Sequence, residues 1–155
     1  VKPTVHLRVD QQSVSHTREF DAPAEKVFRA HVDPEIFVRW MGPRGTSCDV
    51  ERFDAETGGA FRYSILIGGG AYTFFGAYHE VRPNDLIVHT WEFEGDPLPT
   101  LETLRFVDID EGRSRLEVLS VYTSAEHCAE MLAFDETEGG MDENFERLDE
   151  VLAGV

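Results

Sequence analysis

The chain has 155 residues, enough for one domain that buries roughly 70% of the surface its unfolded form exposes. Apolar residues make up 41% of it and include eleven Phe, material for a packed core or a lined cavity, which excludes a disordered chain. Thirty acidic residues against fourteen basic ones give a formal net charge of −16, a field that repels phosphate backbones and anionic leaflets, so nucleic acid and acidic membrane surfaces are poor partners.

Thr4 to Val9 alternates, with Val5, Leu7 and Val9 on one side, and Val14 to Phe20 resumes extension after Asp10-Gln11-Gln12-Ser13. This predicts two strand pieces, or one strand with a bulge. Asp21 then reads as a helix cap with Pro23 in the first turn, and Val27, Phe28 and His31 fall on one helical face. Asp33-Pro34 repeats the cap-and-proline signal, and Ile36, Phe37 and Trp40 form a second apolar face.

From Thr46 the period changes to two. Strands are predicted at Ser47–Asp54, Ala60–Ile67, Tyr72–Val81, Leu86–Phe93, Leu101–Ile109 and Ser114–Tyr122. The separators are short and rich in turn residues, among them Gly68-Gly69-Gly70 and Arg82-Pro83-Asn84-Asp85. Short connections mean antiparallel hairpins, because a parallel crossover needs a dozen residues or more. Ser124 then caps a segment in which Cys128, Met131 and Leu132 share a face, and Asp135 to Gly140 reads as a loop. In the last helix Met141, Phe145, Leu148 and Leu152 make one apolar stripe opposite Asp142, Glu143, Glu146 and Glu150. The expected class is α+β, a curved antiparallel sheet of about seven strands around a long C-terminal helix, in one domain over residues 1–155.

Cofactor and metal patterns are sparse. Cys48 and Cys128 lie far apart and outside any CxxC, which reads as two small buried hydrophobes. His127 and Glu130 are spaced to share one helix face, but a pair of polar residues on a helix is ordinarily solvated, so no metal is assigned. There is no GxSxG, HExxH or Walker sequence, and the Gly68-Gly69-Gly70 run is a hairpin turn and not a phosphate cradle, so no cofactor is assigned either. No stretch approaches the ~18–20 apolar residues of a membrane span, and the expected location is the cytoplasm.

TREFDAP (Thr17–Pro23), Val27-Phe28, DPEIFVRWMGPRG (Asp33–Gly45), GGAFRY (Gly58–Tyr63), FGAYHEVRPNDLIVHTW (Phe75–Trp91) and GGMDENFERLDEVL (Gly139–Leu152) follow one another in order. Together they resemble the family named after the activator of the ninety-kilodalton heat-shock protein ATPase, in the START-like, SRPBCC superfamily, over about residues 14–153. The resemblance implies the helix-grip fold and a cavity for an apolar or amphipathic molecule; relatives include lipid carriers, hormone receptors, polyketide cyclases and the co-chaperone itself. Two departures are Phe145, where many members carry Trp, and the acidic Asp135–Glu138 run.

Candidate ligand-binding residues are Trp40, Phe61, Tyr63, Phe74, Tyr78, His89, Trp91, Phe106, Met141 and Phe145. They are aromatic, apolar or hydrogen-bonding, and strand alternation or the helical stripe puts them on faces that a pocket of about 300–1,000 Å³ would use. His89 shares its strand face with Ile87, Trp91 and Phe93, which makes it a candidate acid or base, with Tyr63 or Tyr78 as the second proton-transfer group. Three readings stand at this point. One is a binding protein for a small apolar or aromatic molecule. The second is a polyketide cyclase or aromatase-type enzyme in the same cavity, and the third a chaperone-associated interaction module using the acidic surface. A homodimer is compatible with all three.

Overall fold

The computed structural model describes residues 5–96, 98–137 and 140–154, with side chains at 134–137 and 140–141 outside the description. Eight strands and four helices follow the order β1 His6–Val9, β2 Ser13–Phe20, α1 Ala24–Val32, α2 Pro34–Trp40, β3 Ser47–Phe53, β4 Ala60–Ile67, β5 Gly70–Arg82, β6 Leu86–Phe93, β7 Thr100–Asp110, β8 Arg113–Val121, α3 Ala125–Thr137 and α4 Gly140–Ala153. All strands belong to one antiparallel sheet in the order β1-β2-β8-β7-β6-β5-β4-β3. The predicted α+β class with a C-terminal helix against a curved sheet is what is found.

The strand count is eight instead of about seven. Asp10 N–H donates to the Ser13 carbonyl at 2.8 Å, which turns the chain back, so the N-terminal pieces form a hairpin with Val9 opposite Val14. The expected Asp21 cap is also displaced. Helix α1 begins at Ala24, leaving Asp21 too early in the chain to reach the first turn. The free Ala24 N–H is taken instead by Asp108 Oδ1 of β7 at 2.8 Å, while Asp21 lies at the surface beside Arg113. The second cap matches expectation: Asp33 Oδ1 accepts from Glu35 N–H at 3.0 Å with Pro34 at N1. Ser124 likewise caps α3 through His127 N–H at 3.0 Å, but α3 runs on to Thr137, through the first three residues of the expected loop.

The inner face of the sheet follows the alternation. It carries Val14, His16, Arg18 and Phe20 from β2, Phe61, Tyr63 and Ile65 from β4, and Leu116, Val118 and Ser120 from β8, all buried. On β5 the inward residues are Phe74 and Tyr78, while Phe75 lies outside under the Arg62 guanidinium at 5.7 Å. Phe145, Leu148 and Leu152 of α4 are buried in the same core, so the helix stripe meets the sheet as its spacing predicts. Arg18 fixes that contact, bonding Asp149 through Nη1 at 2.6 Å and Nη2 at 2.7 Å. Helices α1 and α2 close one end, locked together by Trp40 Nε1 donating to the Ala30 carbonyl at 3.0 Å.

Candidate functional site

Between the sheet, α2 and α4 lies a cavity of about 330 Å³. Its aromatic wall comes from alternate residues of three adjacent strands. Phe61 stacks on Tyr63 at 5.9 Å, Phe74 stacks on Trp91 at 5.0 Å, and Phe37 of α2 meets Tyr63 edge-on at 5.1 Å. Trp91 Nε1 donates to the Tyr63 hydroxyl at 3.4 Å.

Beside this wall, on the same face of the sheet, a polar row crosses the strands by register. Ser120 of β8 pairs with Glu102 of β7, and Glu102 pairs with His89 of β6. Ser120 Oγ donates to Glu102 Oε2 at 2.8 Å, and Glu102 Oε1 lies 3.4 Å from His89 Nε2. The other ring nitrogen, Nδ1, is 2.9 Å from the Thr90 carbonyl, which only accepts, so Nδ1 carries a proton. That leaves Nε2 for the carboxylate or for a molecule in the cavity.

A second imidazole reaches the cavity from α1. His31 Nδ1 donates to the Val27 carbonyl one turn earlier at 2.8 Å, and its ring lies edge-on to Trp40 at 5.0 Å and to Phe106 at 5.2 Å. Burial, partly opposed by the Val27 bond and reinforced by nearby His89, lowers its pKa to about 4. At neutral pH His31 is therefore an uncharged ring whose Nε2 is a lone-pair acceptor. His16 is also shifted downward by burial, partly opposed by Glu102. His16 Nδ1 and Thr100 Oγ1 are buried with no hydrogen-bond partner among the described residues.

Eight of the ten residues singled out in the sequence line the cavity: Trp40, Phe61, Tyr63, Phe74, Tyr78, His89, Trp91 and Phe145. Phe106 does not. It sits beneath α1, edge-on to Phe28 at 5.3 Å and to His31, so it is core. The Met141 side chain falls outside the described residues. Burial moves the phenols of Tyr63 and Tyr78 upward, which keeps both protonated at neutral pH. His127 departs from the expectation of a solvated residue: it is 2% exposed, its Nδ1 3.2 Å from Thr123 Oγ1 and its ring edge-on to Tyr122. Glu130 is exposed, so the two do not share a site, and no group of three or more metal-ligating side chains occurs among the described residues.

Glu102, Ser120, Thr100, His16 and His31 also line the cavity and were not singled out as site residues. The signal for Glu102 was present in TLETLRF, where it shares a strand face with Leu104 and Phe106. A carboxylate on an otherwise apolar face is the anomaly that marks it.

The family model described as activator of Hsp90 ATPase homolog 1-like protein matches residues 21–153. The chain belongs to that family. Among solved structures, a Rhodobacter sphaeroides protein superposes with a TM-score of 0.88 at 22% identity, over 97% of this chain and 99% of its own. An Arthrobacter aurescens protein gives 0.85 at 24%, over 97% and 92%. A Mycobacterium smegmatis protein gives 0.82 at 22%, over 99% of each chain. At these identities the likeness carries the fold alone, the helix-grip arrangement. Among curated proteins nothing matches. No helix among the described residues is long and apolar enough to cross a membrane.

Proposed function

We propose that the protein binds a small hydrophobic or aromatic molecule in the cavity between sheet and α4, and holds it without chemistry. The observation that carries this reading is the cavity itself, about 330 Å³ within a core that otherwise packs ring on ring. That volume is at the small end of the about 300–1,000 Å³ typical of ligand sites, and the mix of aromatic wall and few convergent polar groups is typical of them too. Both tryptophans of the chain, Trp40 and Trp91, line the space, so an occupant must change their emission. Titration with a panel of apolar aromatics is expected to quench or shift that emission saturably; a flat response across the panel removes the reading.

A second reading, acid–base chemistry in the same cavity, is favoured by the contact of His89 with Glu102. It requires His89 to exchange a proton with a bound molecule. Any turnover that persists in His89→Ala excludes it.

A further inference from the structure

Two features of the cavity discriminate among small molecules, and they point the same way. His31 lines the cavity and holds its Nδ1 proton on the Val27 carbonyl, which leaves Nε2 as the acceptor of the neutral ring. Its ring is pinned edge-on between Trp40 and Phe106, so that acceptor is fixed in direction and not free to rotate away. Nearby, the Glu102 carboxylate faces the cavity and is bonded by Ser120. Among the described residues no Lys or Arg lines the space, and the chain carries a formal net charge of −16.

We propose that the cavity takes a neutral, flat aromatic molecule carrying a phenolic or enolic hydroxyl, and that His31 Nε2 accepts the hydrogen bond from that hydroxyl. This rests on the binding reading above and names the class of ligand it admits. An aromatic carboxylate or sulfonate is rejected, because its charge would meet the lone pair of His31 and the carboxylate of Glu102 with no cation to offset either. A simple arene fits the wall but covers the His31 acceptor without pairing it, which weakens it relative to the hydroxylated molecule. His31 is here a positioning and specificity residue. Its uncharged state at neutral pH, imposed by burial, is what makes it an acceptor and not a donor.

The test uses three probes of one size: 2-naphthol, 2-methoxynaphthalene and 2-naphthoate, titrated at neutral pH against the wild type and His31→Phe. The wild type is expected to bind 2-naphthol about 5- to 10-fold tighter than the methyl ether, with 2-naphthoate weakest, and His31→Phe is expected to lose the advantage of the naphthol. Nitrogen-15 NMR of the histidine rings gives a readout on the wild type that does not depend on the variant folding. The His31 Nε2 resonance is expected to move with 2-naphthol and to stay near its free position with the ether. Equal affinities of naphthol and ether, or an unmoved His31 nitrogen in the naphthol complex, overturn the ligand class while leaving the binding reading intact. If none of the three probes binds, both fall.

Discussion

Arg18 of β2 and Asp149 of α4 meet through two parallel hydrogen bonds, at 2.6 and 2.7 Å. Arg18 is 2% exposed and its guanidinium lies 4.7 Å from the centre of the Phe20 ring, so the cation is enclosed on one side by an aromatic face and on the other by a carboxylate. The pair sits one turn from Phe145, whose ring meets Phe20 edge-on at 5.6 Å and lines the cavity. Helix position and cavity shape therefore depend on the same contact.

Removing the carboxylate strands that cation. Asp149→Asn is expected to cost about 2–4 kcal/mol, below the full value for a buried pair because Asp149 keeps 38% of its side chain exposed. Arg18→Met, which removes the charge and fills the space, is expected to cost less. Urea unfolding of the two variants gives the order; a neutral Asp149→Asn contradicts it.

His31 makes stability depend on pH. Its folded pKa of about 4 lies below the ordinary 6.5, so between those values the unfolded chain takes up a proton that the folded one refuses. Stability from this group is complete above about pH 6.5 and falls as pH drops towards 4, by at most about 3 kcal/mol. His16, lowered by burial as well, adds in the same direction. Urea midpoints across that window should decline less steeply for His31→Phe than for the wild type.

Gly76 sets the path of β5 past β6. A Cβ there would lie 1.9 Å from the Thr90 carbonyl oxygen and 2.8 Å from Phe61. The pairing of β5 with β6 skips Gly76 and Ala77: Ala77 N–H goes to the Thr90 hydroxyl at 3.0 Å, and the Thr90 carbonyl holds His89. Gly76→Ala is expected to destabilise by about 1–3 kcal/mol and to disturb His89, because the strands must part. Thermal unfolding measures the first, and the His89 imidazole resonances report the second.

Arg147 of α4 holds the exit of α2. Its Nη2 donates to the Arg39 carbonyl at 2.9 Å, and its Nη1 to the carbonyls of Met41, Gly42 and Pro43, three residues that line the cavity. Arg147→Leu is expected to leave the sheet intact and to speed amide exchange at Met41 and Thr46, whose N–H groups bond Phe37 and Pro43. Uniform exchange rates in the two proteins would show that Arg147 does not hold this segment.

Much of the fold was legible because its determinants are local. The alternation of Phe61, Tyr63 and Ile65, the cap at Asp33 and the stripe Phe145, Leu148 and Leu152 each follow from a few neighbouring residues. The cap of α1 was not, because Asp108 is distant in sequence and only the packing of β7 against α1 brings it to Ala24. The site divides in the same way. Its aromatic wall could be read from strand parity, whereas Ser120, Glu102 and His89 become a row only through the pairings of β8, β7 and β6. His31 read as an apolar-face residue, since the carbonyl that fixes its tautomer and the rings that pin it are set by tertiary contacts and helix geometry.

The cavity is the centre of the functional reading, and ligand-induced thermal stabilisation tests it most directly. A molecule that occupies the space between sheet and α4 at 100 times its dissociation constant stabilises the folded state by about 2.7 kcal/mol. For a domain of this length that raises Tm by about 5–10 °C. A Ser120→Trp variant, with the added ring filling the cavity, is expected to fold and to lose the response. If no apolar or hydroxylated aromatic in a broad panel raises the Tm of the wild type, or if Ser120→Trp folds and responds as the wild type does, the cavity is not a binding site.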